Sequence, residues 1–318
     1  MATDTPVRVL YIVGAGRSGS TVLDIVLGNH PEIQSVGELR NLPYSGWAGG
    51  RATRSPYCSC GRTVAECPFW STVRREWVAR VGEEDARPYP ALQSSFERYR
   101  SLPRLVLELL RGPSPEFRAY ARLTGALFEA IRMASGKAVV VDSSKNPLRA
   151  LTLSMVPGVD LHLVHLVRDA RGVVSSRKKA FKKDHEAGLA RDIEPQPAWN
   201  SAVFWLLINL LSGWVRRRLG AGRSARVRYE NFVEQPRKAL VEIGPVAGQD
   251  LAGLAGEVSW GGALEVGHNV GGNRLRMTKG GVRLRPDAGG WESTLSAREE
   301  RTTWAVAGWL MRRYGYAR

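Results

Sequence analysis

Short runs of consecutive apolar residues recur along the chain, and polar or glycine-rich residues follow each run. Such runs are typical of strands that are buried on both faces of a parallel sheet. Between the runs, apolar residues at three- and four-residue spacing predict helices. Because strands and helices alternate, we predict an α/β fold with a central parallel sheet flanked by helices. The predicted strands span residues 8–13, 33–36, 137–141, 160–167 and 226–229.

The remaining segments are predicted to belong to a single domain with lid insertions, residues 1–318. Residues 72–135 carry helical periodicity, whereas residues 40–70 are rich in Gly, Pro, Ser, Trp and Cys and predict a loop or lid. The expected parts are the first strand, loop and helix at 7–30, the lid insertion at 40–135, the rest of the core at 137–285 and a C-terminal helix at 296–318.

The chain is strongly basic, with 46 Lys and Arg residues against 30 acidic residues and a formal net charge of +16. This balance predicts polyanionic partners such as nucleic acid, an anionic membrane or a phosphate-bearing small molecule. Arg outnumbers Lys, which favours forked recognition of phosphate or sulfate. Nucleic-acid binding is kept as an alternative, but the sequence carries no helix-turn-helix, zinc-finger or aromatic RNA-binding signature, so we expect no nucleic-acid partner.

The longest charge-free stretch, residues 195–215, bears on the membrane alternative. Its apolar part has about 15 residues, whereas a membrane span needs about 20, so we predict a buried helix. Three arginines at 216–218 follow it and keep a helix at a membrane surface open as an alternative. No secretory signal pattern is found before the first strand, and we expect a cytoplasmic protein.

A glycine-rich loop follows the first predicted strand and leads into a helix. Residues 14–21 read GAGRSGST, which fits the glycine spacing of a P-loop, where backbone N–H groups and the helix dipole face an anion. The lysine of an ATP-binding P-loop is missing and Arg17 lies within the loop instead, which indicates an anion other than a magnesium triphosphate. The predicted fold is therefore P-loop-like. A kinase or NTPase with a degenerate loop stays an alternative, with Asp142 or Asp169 holding Mg²⁺.

A second anion-binding pattern follows the predicted strand at 160–167. Arg168 ends that strand and Ser176 lies about two turns into the next helix, so both are expected at the same sheet edge as the glycine loop. Arg168 can hold a phosphate with two hydrogen bonds, and Ser176 can donate one more. The pattern therefore predicts a second phosphate subsite.

Together these motifs resemble the family of 3′-phosphoadenosine-5′-phosphosulfate (PAPS)-dependent sulfotransferases. Segment 14–21 is similar to the loop that binds the 5′-phosphosulfate in that family, and segment 166–177 to the strand and helix that bind the 3′-phosphate. Segment 272–280, GNRLRMTKG, is similar to the basic segment that closes over the nucleotide in bacterial members. Segments 37–40 and 142–145 are similar to those that supply the catalytic base and the active-site lysine of the bacterial and tyrosylprotein branch.

The resemblance implies an enzyme that transfers the sulfuryl group of PAPS to a hydroxyl of a small-molecule, lipid or carbohydrate acceptor and releases adenosine 3′,5′-bisphosphate. Glu38 would be the catalytic base, unless it pairs with Arg17 or Arg40 and only orders the loop. Many cytosolic members carry lysine where this chain has Arg17; because arginine keeps its proton at neutral pH, Lys145 is the better candidate to stabilise the leaving group, with Arg17 beside the sulfonate. The implied donor-binding residues are Gly16, Arg17, Ser18, Gly19, Ser20, Thr21, Arg168, Ser176, Tyr229 (against the adenine), Arg274, Arg276, Lys279 and Gly280.

Three cysteines, Cys58, Cys60 and Cys67, lie within ten positions of the predicted lid. They could supply thiolate ligands to Zn²⁺, but His30 and His268, the candidates for a fourth ligand, are distant in sequence. A single disulfide is a further alternative, and plain buried thiols are favoured. We therefore expect no metal ion at this cluster or in the reaction.

Overall fold

A computed structural model describes residues 5–48, 52–182, 184, 192–259, 261–284 and 290–318. Its strands pair in parallel to form a five-stranded sheet in the order β2-β3-β1-β4-β5. The predicted α/β fold with a central parallel sheet is confirmed. The strands are β1 (Val7–Val13), β2 (Ile33–Ser35), β3 (Val139–Lys145), β4 (Val159–Val167) and β5 (Ser224–Arg228).

Helices flank the sheet, and most of the segment between β2 and β3 is helical, as predicted. A 3₁₀ helix at Leu39–Tyr44 opens this segment. The α-helices are α1 (Ser20–Gly28), α2 (Pro68–Val81), α3 (Glu83–Ala86), α4 (Tyr89–Glu97), α5 (Leu102–Arg111), α6 (Pro115–Ser135), α7 (Pro147–Leu153), α8 (Ala170–Arg177), α9 (Ala198–Leu219), α10 (Tyr229–Glu234), α11 (Pro236–Ala247), α12 (Ala252–Ser259) and α13 (Ala297–Arg313).

Successive residues of the central strand β1 are buried in opposite layers of the core, because side chains alternate across a strand. Val9 and Tyr11 belong to the cluster that includes side chains of α2, α4 and α6. Leu10 and Ile12 belong to the cluster that includes side chains of α1 and α11. Because β1 is the central strand, the loop after it lies at the middle of the carboxyl edge of the sheet, where ligands bind in open α/β folds.

Strand β3 continues beyond its predicted end at Val141 and includes Lys145. The pairing of β1 with β3 shifts register between Tyr11 and Val13, and Val13 then lies opposite Lys145. Lys145 has a positive φ of 66°, and its carbonyl accepts a hydrogen bond from the backbone N–H of Gly14 at 3.4 Å. This irregularity brings Lys145 to the point where the glycine-rich loop begins.

The helix predicted for the charge-free stretch is α9, and it is only partly buried. Trp205 and Ile208 pack into the core, whereas Leu207 is 54% exposed and Trp199 is 58% exposed. The prediction of a buried helix was therefore wrong for one of its faces. By length and composition alone, α9 is the one helix in the described part of the chain that could cross a membrane. In this structure it packs against α8, α13 and β4.

Candidate active site

The loop after β1 approaches its neighbours so closely that two of its glycines could not carry a side chain. At Gly14, with φ of 145°, an added Cβ would lie 2.2 Å from the carbonyl oxygen of Leu166. At Gly19, with φ of 88°, an added Cβ would lie 2.3 Å from two ring atoms of Tyr229. The loop therefore rests on β4 and on the Tyr229 ring, and α1 begins directly after it.

A cavity of about 310 Å³ opens above this loop, a volume within the range of small-molecule sites. Most of the residues predicted for donor binding and catalysis meet in its wall, although they come from separate elements. The wall consists of Gly16, Arg17, Gly19, Ser20, Thr21, Val22, Glu38, Lys145, Arg168, Ser176, Tyr229, Gly272, Asn273 and Leu275.

Arginines dominate one side of the cavity. The backbone of Arg17 is left-handed, with φ of 75°, and its carbonyl accepts a hydrogen bond from Arg168 Nη1 at 3.1 Å. Arg17 Nε donates to Ser176 Oγ at 2.8 Å, and the Arg168 guanidinium lies 4.7 Å from the centre of the Tyr229 ring. The pKa of Arg17 is lowered, first by burial and then by repulsion from other arginines, chiefly Arg168 and Arg274. A bound anion would relieve this repulsion, and the N-terminus of α1 favours negative charge at the same place.

Glu38 and Lys145 face each other on the other side of the cavity. Lys145 Nζ donates to Glu38 Oε1, and Asn41 Nδ2 donates to Glu38 Oε2 at 2.9 Å. The Glu38 and Lys145 side chains are 20% and 19% exposed, so both are reachable from the cavity. Glu38 does not form the expected alternative pair with Arg40, because the Arg40 guanidinium binds Glu97 at 3.3 Å. Both oxygens of the Glu38 carboxylate therefore accept a hydrogen bond.

Five predicted donor-binding residues lie outside the cavity wall, namely Ser18, Arg274, Arg276, Lys279 and Gly280. Ser18, within the loop, is buried. Arg276 is buried with its guanidinium donating to Tyr57 O at 2.9 Å and Ser55 Oγ at 3.1 Å. Arg276 therefore anchors the basic segment 272–280 to the loop around residue 55. Lys279 and Gly280 are exposed and lie outside the cavity wall.

Arg274 is exposed and is not part of the cavity wall, but it shares an aromatic neighbour with Arg17. Its guanidinium is 4.8 Å from the centre of the Phe181 ring, and the Arg17 guanidinium is 5.9 Å from the same centre. Phe181 was not predicted from the sequence, because no motif marks it.

Asn41 and Asn273 are two more site residues that the sequence analysis missed. Asn41 lies three residues after Glu38 in the 3₁₀ helix, a spacing that places side chains on one side and could have drawn notice. The backbone N–H of Asn273 donates to Thr21 Oγ1 at 3.3 Å, which closes the C-terminal segment over α1. No local sequence pattern predicts the contact between Asn273 and Thr21.

The aspartates that a kinase would need for Mg²⁺ are committed to other partners. Asp142 accepts hydrogen bonds from Arg149 Nε and from the backbone N–H of Ser144, both at 2.9 Å. Asp169 pairs with Arg171 at 2.8 Å. Neither aspartate belongs to the cavity wall. The described residues around this cavity therefore do not fit a magnesium triphosphate.

The cysteines of the lid are close to His268 although about 200 positions separate them in the sequence. His268 Nδ1 lies 3.3 Å from Cys67 Sγ and 3.8 Å from Cys58 Sγ. The separation in sequence was the reason for not assigning His268 as a partner of the cysteines, but the fold brings them together. None of these residues lines the cavity.

Comparison with known proteins places these features in a family context. The sequence profile described as "Sulfotransferase family" matches residues 10–251. Among solved structures, the sulfotransferase domain from the Synechococcus PCC 7002 olefin synthase superposes with a TM-score of 0.50 at 20% identity, covering 100% of this chain and 98% of that one. The sulfotransferase domain from the curacin biosynthetic pathway gives 0.51 at 15% identity, covering 96% and 98%. At these identities the likeness shows a shared fold. No curated protein sequence matches the chain.

Proposed function

Since the chain belongs to the sulfotransferase family, we propose that it transfers the sulfuryl group of PAPS to a hydroxyl-bearing acceptor and releases adenosine 3′,5′-bisphosphate. The observation that carries the proposal is that the residues of the two predicted anion subsites line one cavity. Arg17 on the loop donates to Ser176 on α8, and Arg168 at the end of β4 donates to the backbone of Arg17. A nucleotide with phosphates at both ends of its ribose suits such a pair of subsites.

The loop is the proposed seat of the 5′-phosphosulfate. N–H groups in the first turn of an α-helix lack intrahelical partners, so the loop and the start of α1 offer donors beside Arg17. The proposed seat of the 3′-phosphate is Arg168 with Ser176. Because Ser176 Oγ accepts its hydrogen bond from Arg17, its own proton is free to point at a phosphate oxygen. The Tyr229 ring, fixed against Gly19, is the proposed support for the adenine.

The proposed chemical step is an in-line transfer. The acceptor oxygen forms a bond to sulfur, the bond between sulfur and the bridging oxygen breaks, and the electron pair remains on the 5′-phosphate. Lys145 and Arg17, which line the same cavity, are proposed to neutralise that charge. In a transfer with loose bonding, positioning and charge neutralisation are the main contributions of the enzyme. Glu38 receives the proton of the acceptor hydroxyl. Separation of the Glu38–Lys145 pair would let Glu38 contact the acceptor hydroxyl and Lys145 contact the 5′-phosphate of the donor.

The acceptor is proposed as a small molecule, lipid or carbohydrate with a free hydroxyl. In the proposed reaction its hydroxyl must reach Glu38, which lies directly before the 3₁₀ helix at Leu39–Tyr44.

Calorimetry with two nucleotides tests the donor assignment. We expect adenosine 3′,5′-bisphosphate to bind much more tightly than 5′-AMP, and Arg168→Ala to remove most of the difference. Loss of a charge-assisted contact costs about 1.5–3 kcal/mol, or roughly 10- to 100-fold in Kd. Arg237→Ala, an exposed arginine on α11, is the matched control and should change neither affinity. Equal affinity of the wild-type protein for both nucleotides would refute the donor assignment.

A further inference from the structure

Three cysteines and one histidine of the described chain point their ligand atoms at a common centre. The sulfur atoms of Cys58, Cys60 and Cys67 and a ring nitrogen of His268 all lie within 4.8 Å of one another. A tetrahedral Zn²⁺ with ordinary Zn–S and Zn–N bonds holds its ligand atoms about 3.6–3.8 Å apart. The distances from His268 Nδ1 to Cys58 Sγ and Cys67 Sγ, 3.8 and 3.3 Å, match that requirement. We propose that these four residues bind one zinc ion.

The ligand set indicates the role of the ion. Four protein ligands, three of them thiolates, complete a tetrahedron and leave no position for water or substrate, which is the pattern of structural zinc sites. The site also lies outside the wall of the donor cavity. The zinc would therefore hold parts of the chain together and take no part in sulfuryl transfer.

The surroundings of His268 fix its ring in the orientation a metal ligand needs. The ring stacks on Phe69, with centroids 5.4 Å apart and planes inclined by 14°. Trp70 Nε1 donates to the carbonyl of His268 at 2.9 Å. The stack restrains the plane of the imidazole, and the hydrogen bond holds the backbone of His268.

Two features balance the charge of three thiolates. Three thiolates and a zinc ion leave one net negative charge at the site. Cys67 is the N-cap residue of α2, where the helix dipole favours negative charge. Arg276, which is buried, is close enough to Cys58 to interact with it electrostatically. Arg276 thus adds positive charge beside the cysteines.

The ion would join two segments that are far apart in sequence. One is the cysteine loop, residues 55–67, and the other is the strap, residues 267–277. Between them, Ser59 Oγ donates to the carbonyl of Gly267 at 2.7 Å and accepts from the backbone N–H of Asn269 at 2.7 Å. The first of these hydrogen bonds is exposed and the second is partly buried, and a bound metal ion would stabilise the same junction.

The strap continues from this junction directly into the active site. The carbonyl of Val270 accepts a hydrogen bond from the backbone N–H of Glu38 at 2.7 Å. Two residues later, Gly272 and Asn273 line the donor cavity. We therefore expect zinc loss to loosen the strap and weaken nucleotide binding; this consequence rests on the proposed function, whereas the metal site does not.

Metal content of the full chain tests the site. The protein, made without a histidine tag and purified with a thiol reductant, should contain about one zinc per chain. Replacement of the zinc by Co²⁺ should give the intense visible bands of a tetrahedral ion and thiolate-to-cobalt charge transfer in the near ultraviolet. Cys60→Ser, at the exposed ligand, should lose the charge-transfer intensity of one thiolate and lower the metal content. His30→Asn, a histidine outside the cluster, is the control and should keep both.

The outcomes separate the metal site from the proposed function. Zinc-free wild-type protein with three free thiols overturns the proposal, as does a disulfide between two of the cysteines found by mass spectrometry without reduction. A zinc site whose removal leaves the Kd of adenosine 3′,5′-bisphosphate unchanged would keep the metal and overturn its coupling to the strap. Failure to bind this nucleotide at all, with zinc present, would instead refute the donor assignment.

Discussion

Lys145 Nζ donates to Glu38 Oε1, so the residues proposed as base and leaving-group stabiliser form one ion pair in the wall of the donor cavity. The pair is built by two local irregularities. Lys145 sits at the register shift of β3 with a positive φ, and Glu38 follows Gly37, which has a φ of 72°. Each of these backbone turns directs the side chain at the end of a strand toward the cavity, and there the Lys145 and Glu38 side chains form their ion pair.

Replacement of Glu38 by glutamine should separate catalysis from binding. Glu38→Gln keeps the shape of the side chain and a carbonyl oxygen for Lys145, but it removes the base. General-base catalysis contributes about 100- to 10,000-fold, so we expect kcat to fall at least about 100-fold. The Kd of adenosine 3′,5′-bisphosphate should change less than roughly threefold, because the proposed partner of Glu38 is the acceptor hydroxyl and not the nucleotide.

The matched control for Glu38 is Glu242→Gln, at an exposed position of α11. It removes the same charge far from the cavity and should leave kcat unchanged. If kcat of Glu38→Gln survives, or if nucleotide binding falls in parallel with it, Glu38 is a structural partner of Lys145 and the base is another group.

A methyl group at Gly19 should disturb the donor subsite through Tyr229. The φ of 88° is strained for any side chain, and the new Cβ would lie 2.3 Å from the Tyr229 ring. Since Arg168 lies over that ring, Gly19→Ala should displace both groups. We expect the nucleotide Kd to rise by at least about tenfold, equal to 1.4 kcal/mol, as measured by calorimetry.

Gly222→Ala is the control for Gly19, because a Cβ there would meet no atom within 4 Å. It should bind nucleotide as the wild-type protein does. Unchanged affinity in Gly19→Ala would mean that the Tyr229 ring is free to move aside and does not set the donor subsite.

The strands and the glycine loop could be predicted because their signals are local. An apolar run such as residues 8–13 and a glycine spacing such as residues 14–19 depend only on neighbours in the chain. Arg168 and Ser176 could be placed beside that loop because parallel strands present their carboxyl ends at one edge.

The parts that could not be predicted depend on packing between distant segments. Arg276 belongs to a basic segment, yet its guanidinium turns inward to Tyr57 and Ser55. His268 meets Cys67 across 201 positions, and Asn273 meets Thr21 across 252. Composition shows that such residues are polar, but only the folded chain decides which of them face a ligand and which face one another.

Burial of Asp24 should make the stability of the protein depend on pH. Asp24, on α1, is completely buried, and it accepts a hydrogen bond from Asn269 Nδ2 at 2.7 Å. Burial raises the pKa of its carboxyl to about 7. In the unfolded chain this carboxyl ionises near its usual pKa of about 4. Between these two values the folded protein binds the proton more tightly, so its free energy of unfolding should fall as pH rises from about 4 to about 7.

Asp24→Asn removes this titration and leaves an uncharged side chain of the same shape. Any cost of the new amide is the same at every pH, so the test is the slope. Urea unfolding of both proteins at several pH values between 5 and 8 gives the difference in their free energies of unfolding. As pH rises toward 7, we expect the wild-type protein to lose stability relative to Asp24→Asn by up to about 1.4 kcal/mol per pH unit. Above pH 7 the difference should become constant. Parallel curves would show that Asp24 stays ionised in the folded protein, in spite of its burial beside the strap.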